Sequence, residues 1–149
     1  MITIAQEIEK NVERVSKTLS GMGEAEFALK KIPGKWSRKE IVGHLIDSAQ
    51  NNIQRFVRGQ YEDTPEISYA QDDWVRLQDY QHYKKDELIQ FWRLINKHLC
   101  RILLSMDPGN YERNVNTGKA AVELHSLVFL AEDYLVHLRH HLDQIEKKD

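Results

Sequence analysis

Apolar residues recur at three- and four-residue spacing through four stretches of this chain, a period that predicts helices rather than strands. The first stretch runs from about Ile4 to Leu19, with Ile4, Ile8, Val12, Val15 and Leu19 in register, and closes near Ser20-Gly21, a pair suited to a C-cap. The second opens at Ser37, where Ser37-Arg38-Lys39-Glu40 has the spacing of a capping box: the hydroxyl accepts from the N–H three residues on, and Glu40 reaches back. Its apolar set is Ile41, Val42, Leu45, Ile46, Ala49, Ile53 and Phe56, and Gly59 is placed to end it. The third spans about Lys84 to Ser105, before Asp107-Pro108-Gly109-Asn110 breaks the pattern. The fourth is expected from about Ala120 to Lys147, with Leu124, Leu127, Val128, Ala131, Leu135, Leu138, Leu142 and Ile145 in register. No alternating run is long enough to suggest a sheet.

The expected fold is therefore all-α, a four-helix bundle forming one domain over residues 1–149. The connection from Gly59 to about Tyr83 is longer than the roughly 2–8 residues that join antiparallel neighbours in a bundle. A connection of that length can carry the chain back along the bundle and leave the second and third helices parallel. It holds Tyr61, Tyr69, Trp74, Tyr80 and Tyr83, too many aromatics for a solvated linker, and Asp72 to Asp79 has room for a short helix. It is expected to pack over one end of the bundle.

Composition narrows the function classes. With 149 residues, 41% hydrophobic and 30% charged, the chain can bury a core without covalent staples. A net charge of −2 without a cluster of Lys and Arg argues against nucleic-acid binding by phosphate neutralisation. No stretch approaches the roughly 20 apolar residues of a membrane span. The N-terminal residues, which include Glu7, do not read as a signal peptide. The single cysteine, Cys100, excludes an intrachain disulfide and a cysteine-rich zinc framework, and its apolar neighbours suit a buried thiol. A reducing cytoplasm fits these features.

Seven histidines are present, three of them in His137-Leu138-Arg139-His140-His141. Residues four apart on a helix lie about 40° apart around the axis and one turn along it, so His137 and His141 can grip one ion. Against the mean direction of the apolar stripe, His140 points roughly 170° away, His137 about 110° and His141 about 70°. His137 and His141 thus flank the core, and His140 faces solvent. A surface pair suited to the C-terminal helix dipole is the alternative reading. A catalytic zinc site normally needs three protein ligands and an open position. The best third candidate is His44, first of a polar stripe on the second helix that continues through Ser48, Asn51 and Arg55; a solvated face explains the same stripe.

Trp36-Ser37-Arg38-Lys39-Glu40-Ile41-Val42-Gly43-His44-Leu45, followed by Asn51 and Arg55, resembles the second-helix signature of the DinB/YfiT-like superfamily. His137-Leu138-Arg139-His140-His141-Leu142-Asp143-Gln144-Ile145 is similar to its fourth-helix signature, H-x-x-H-H-x-x-Q-I. The resemblance covers nearly the whole chain. It implies an up-down-down-up bundle and one divalent metal ion held by His44, His137 and His141, zinc before nickel, iron or manganese.

Such an ion would lower the pKa of a bound water or thiol, or polarise a carbonyl. Asp133, one turn before His137, is placed to orient that imidazole; a solvent-facing carboxylate is the alternative. Arg55 could hold an anionic group of a small-molecule substrate, or make an ordinary bundle salt bridge. The resemblance implies either thiol-dependent transfer, with a low-molecular-weight thiol as cosubstrate, or metal-dependent hydrolysis. A non-catalytic, stress-inducible metal-binding protein is the contrasting class. A homodimer is permitted by the sequence and implied by many relatives.

Overall fold

The capping box at Ser37 forms as its spacing predicts. In the computed structural model, which describes residues 1–147, Ser37 Oγ accepts from Glu40 N at 3.1 Å, and Ser37 N donates to Glu40 Oε2 at 2.8 Å. That box starts one of six helices: α1 (Ile2–Ser20), α2 (Glu24–Phe27), α3 (Arg38–Arg58), α4 (Gln71–Leu77), α5 (Lys85–Ser105) and α6 (Leu127–Glu146). The four long ones, α1, α3, α5 and α6, form the bundle. Each buries the face its periodicity marks, as Ala5, Ile8, Val12, Val15 and Leu19 do on α1. Trp92, Tyr134, Phe56 and Phe27 are among the largest side chains enclosed. Among the described residues, no helix is long and apolar enough to cross a membrane.

Side-chain contacts set the helix directions. Arg139 pairs with Glu7 at 2.8 Å and Arg14 pairs with Glu146, so α1 and α6 run parallel. Arg93 pairs with Glu13, and the Cys100 thiol donates to the Ala5 carbonyl, so α1 and α5 run antiparallel. Arg38 Nε donates to the Ile145 carbonyl at 2.8 Å, which makes α3 antiparallel to α6. It follows that α3 and α5 are parallel and that the bundle is up-down-down-up. These exposed ion pairs report the packing; each adds little to stability.

Parallel α3 and α5 require the chain to travel back the length of α3, and the long connection does this along the side of the helix. Arg55 Nε and Nη2, near the end of α3, donate to the Ile67 carbonyl at 3.2 and 3.1 Å. Midway, Tyr80 Oη and Gln78 Nε2 donate to Asp47 Oδ1 at 2.6 and 2.7 Å. At the start of α3, Ser37 Oγ donates to Gln81 Oε1 at 2.7 Å. Ile67, Val75 and Tyr80 are buried, whereas Tyr61 is exposed. The segment is thus a side wall on α3 rather than a cover for one end, with α4 as its short helix.

The fourth long helix begins later than its periodicity suggests. Residues 114–116 and 124–126 pair as a two-stranded antiparallel ribbon, β1 (Asn114–Asn116) and β2 (Leu124–Ser126). Asn116 Oδ1 closes the loop between them by accepting from Gly118 N and Glu123 N. Leu124, in register with the helical stripe, is a half-exposed ribbon residue. Helix α6 starts where a cap exists: Ser126 Oγ accepts from Phe129 N.

Candidate metal centre

Antiparallel packing of α3 on α6 sets the first turns of α3 against the last turns of α6, bringing His44 to His137 and His141. His137 Nε2 lies 3.1 Å from His44 Nε2 and 3.1 Å from His141 Nε2. One ligand atom from each ring falls within 4.8 Å of the others. His44 is enclosed, and His137 and His141 are half-buried. His140 is exposed, as the helix phasing requires.

The burial of His44 has two sources. Trp36, just before α3, lies over its ring at 5.0 Å between centroids. The polar stripe it begins is also buried, Ser48 and Asn51 included, so this is an internal surface and not a solvated face. Asn51 and Asn52 satisfy their amides on the carbonyls of Asp47 and Ser48 one turn back.

All three imidazoles favour the neutral form. His44 is pushed down to about 3 by burial, reinforced by the other two rings, and His137 to about 4 by burial and then by His141 and His140. His141 is lowered by burial, against the opposing effect of its hydrogen bond to Gln144 Oε1. At neutral pH the cluster therefore presents lone pairs. His141 Nδ1 lies 2.9 Å from Gln144 Oε1, which accepts its proton and leaves Nε2 unprotonated. Gln144 in turn reaches His140 Nε2 at 3.0 Å.

When His141 offers only a lone pair, a single shared proton on His137 Nε2 is the most that can bridge the three nitrogens. A single cation satisfies all three. Tetrahedral zinc, with metal–nitrogen bonds of about 2.0–2.1 Å, sets its ligand nitrogens about 3.3 Å apart, close to the two short separations here. The donor set fits a borderline-soft divalent ion.

Two expectations follow for the cluster. Removal of Gln144 frees the His141 ring to turn, so Gln144→Ala should weaken zinc binding by about 10–100-fold, the range for residues that orient ligands. Competition against a chromogenic chelator measures it, and Gln144→Glu, which keeps an acceptor, should retain most of the affinity. Second, the depressed histidine pKa values make the metal-free fold acid-sensitive. The unfolded chain takes protons near pH 6.5 that the fold refuses until about 4 for His137 and about 3 for His44. The stability these neutral rings confer is present above pH 6.5 and is lost progressively as pH falls toward 3. Urea midpoints between pH 7 and 4 should decline accordingly.

The other anticipated residues lie elsewhere. Arg55 is eleven residues beyond His44, about 16 Å along α3, and its guanidinium is directed to the Ile67 carbonyl and to Asn52 Oδ1. Asp133 is exposed, and its charge acts on Arg55. Neither residue is joined to the histidine cluster by a hydrogen bond. Cys100 is buried, and burial pushes its thiol up to about 12. It supplies no nucleophile. Gln144 and Trp36 were visible in the sequence only as members of the resembling motifs; their spacing from His141 and His44 was the available signal.

Fold and cluster together define a class: a helical bundle with three neutral imidazoles converging from two antiparallel helices. The chain belongs to the DinB superfamily, whose family model matches residues 7–145. It is 25% identical over 142 residues to a Bacillus mycoides (strain KBAB4) protein provisionally named a metal-dependent hydrolase, covering 94% of this chain and 80% of that one. A similarly named Bacillus cereus (strain AH820) protein is 26% identical over 147 residues, covering 96% and 82%. Among solved structures, YfiT from Bacillus subtilis is described as a probable metal-dependent hydrolase with an unusual four-helix bundle topology. It superposes with a TM-score of 0.86 at 21% identity, over 96% of this chain and 82% of that one. A mycothiol-dependent maleylpyruvate isomerase superposes with a TM-score of 0.77 at 13% identity; the match covers 97% of this chain but only 59% of the isomerase. The last two are likenesses of fold.

Proposed function

We propose that this protein is a metal-dependent enzyme that activates the thiol of a small cosubstrate for attack on a small electrophile. The divalent ion, zinc before nickel, iron or manganese, is held by Nε2 of His44, His137 and His141. The observation that carries the reading is the convergence of three neutral imidazoles beside a cleft of about 680 Å³ that His141 helps to line. When bound, such an ion acts as a Lewis acid that lowers the pKa of a coordinated thiol or water, making a nucleophile available at neutral pH.

The chain's own residues prepare that step. Neutral ligands add no negative charge, so the centre favours an anionic nucleophile. Trp36 and the buried face of α3 screen the cluster from water on the His44 side. The half-buried His141 leaves the approach open from the cleft. Among the described residues, the cluster offers no nucleophilic side chain beyond the imidazoles that would hold the ion, so the attacking group enters as a cosubstrate. That the isomerase of the same fold is mycothiol-dependent supports a thiol in that role.

Hydrolysis, with water in place of the thiol, is the second reading, favoured by the names of the Bacillus relatives. Zinc-loaded protein should be assayed on model electrophiles with and without a low-molecular-weight thiol, and on ester and amide substrates. Thiol-dependent transfer, lost in His141→Ala while circular dichroism shows the helices intact, is the expected result. Thiol-independent ester cleavage lost in the same variant would establish hydrolysis instead. Stoichiometric zinc without turnover on either panel would reject both enzymatic readings in favour of a metal-binding protein.

A further inference from the structure

The cleft beside His141 differs in charge from the rest of the molecule. The chain carries a net charge of −2, yet among the described residues the cleft is lined by Lys35, Arg38 and Lys147, with Lys31 beside them, and by one carboxylate, Asp72. Arg38 is fixed in place. It is nearly enclosed, its Nε donates to the Ile145 carbonyl and its Nη2 to the Lys147 carbonyl, so its charge is oriented but not neutralised by these bonds. Its nearest carboxylate is exposed Glu26, 3.7 Å from Nη1.

The same cleft has an apolar side. Trp36 and Ile41 line it, and Leu29 and Ile32 stand 53% and 60% exposed on its lip. Gathered on one concave site, these side chains offer a surface for the apolar part of a ligand. The cleft's volume falls within the range for small-molecule sites, about 300–1,000 Å³.

We infer that this cleft binds the substrate as an organic anion, a carboxylate on an apolar body. The apolar part lies against Trp36, Ile41 and the 29–36 lip, and the carboxylate meets the field of Lys35, Arg38 and Lys147. This assignment rests on the reading of the histidine cluster as the reaction centre, and it names the substrate class. It also places the anion contact here, whereas Arg55 lies about three turns along α3 from His44.

A matched pair of probes tests it: 1-naphthylacetate and its neutral isostere 1-naphthylacetamide, titrated calorimetrically into chelator-treated and zinc-loaded protein. The chelator-treated protein should already prefer the carboxylate by about tenfold or more, the lower end of what a focused field produces, and the preference should shrink with added salt. The double variant Lys35→Glu/Lys147→Glu should abolish or reverse the preference while still taking up zinc. Arg38 is left in place because it holds the ends of α3 and α6 together. Equal binding of the two probes, binding of neither, or a preference that appears only with zinc loaded would overturn the cleft assignment. A carboxylate preference in a protein that takes up no zinc would keep this assignment and reject the proposed metal centre.

Discussion

Replacing His137 with alanine is expected to reduce zinc affinity by well over 100-fold, beyond the about 10–100-fold loss for residues that only orient ligands. His137 is the middle member of the cluster: its Nε2 is the atom that lies 3.1 Å from both of the others. Without it, His44 and His141 remain on separate helices with two donors, too few for the three-ligand sites that hold catalytic zinc. The ring is half-buried at the middle of α6, where alanine is a strong helix former, so the helix should survive the change. Chelator competition on the folded variant reads the effect. A variant that binds zinc as tightly as the parent protein would show that His137 is not a ligand.

The second large effect concerns the wall beside the centre. Gly43→Ala should destabilise the protein by about 2–3 kcal/mol, near the upper part of the range for overpacked cores. A Cβ at Gly43 would lie 2.1 Å from Tyr80 Cδ2 and 2.2 Å from Cγ. Tyr80 has little freedom to retreat, being enclosed and hydrogen-bonded to Asp47 Oδ1 at 2.6 Å. Alanine normally favours a helix over glycine by roughly 0.5–1 kcal/mol, which offsets part of the clash. Gly21→Ala, where φ is −78° and an added Cβ makes only ordinary contact, 3.6 Å from the Thr18 carbonyl oxygen, is the control expected to leave stability nearly unchanged. Equal urea midpoints for the two variants would mean that the connection does not pack on α3 as described.

The residues that could be read from sequence are those whose roles follow from local geometry. Helix phasing separates His137 and His141 from exposed His140 because all three share one regular helix. The capping box at Ser37 is likewise local. The burial of His44 is not, since it depends on Trp36 and on α6 packing from nearly a hundred residues away; only the motif resemblance pointed to it. Asp47 carries no signal in the helical period, yet it is fully buried and anchors Tyr80 and Gln78. The start of α6 was misplaced because strands of three residues are too short to show alternation, and Leu124 happens to continue the helical period. Arg55 shares the stripe of His44, but its guanidinium is claimed by a backbone carbonyl in the long connection, a contact no spacing rule contains.

Elemental analysis of untagged protein, purified without chelator and then challenged with zinc, tests the central claim most directly. Close to one divalent ion per chain is expected in the parent protein and none retained in His137→Ala. A parent protein that stays empty after reconstitution, or a variant that loads as fully, would contradict it.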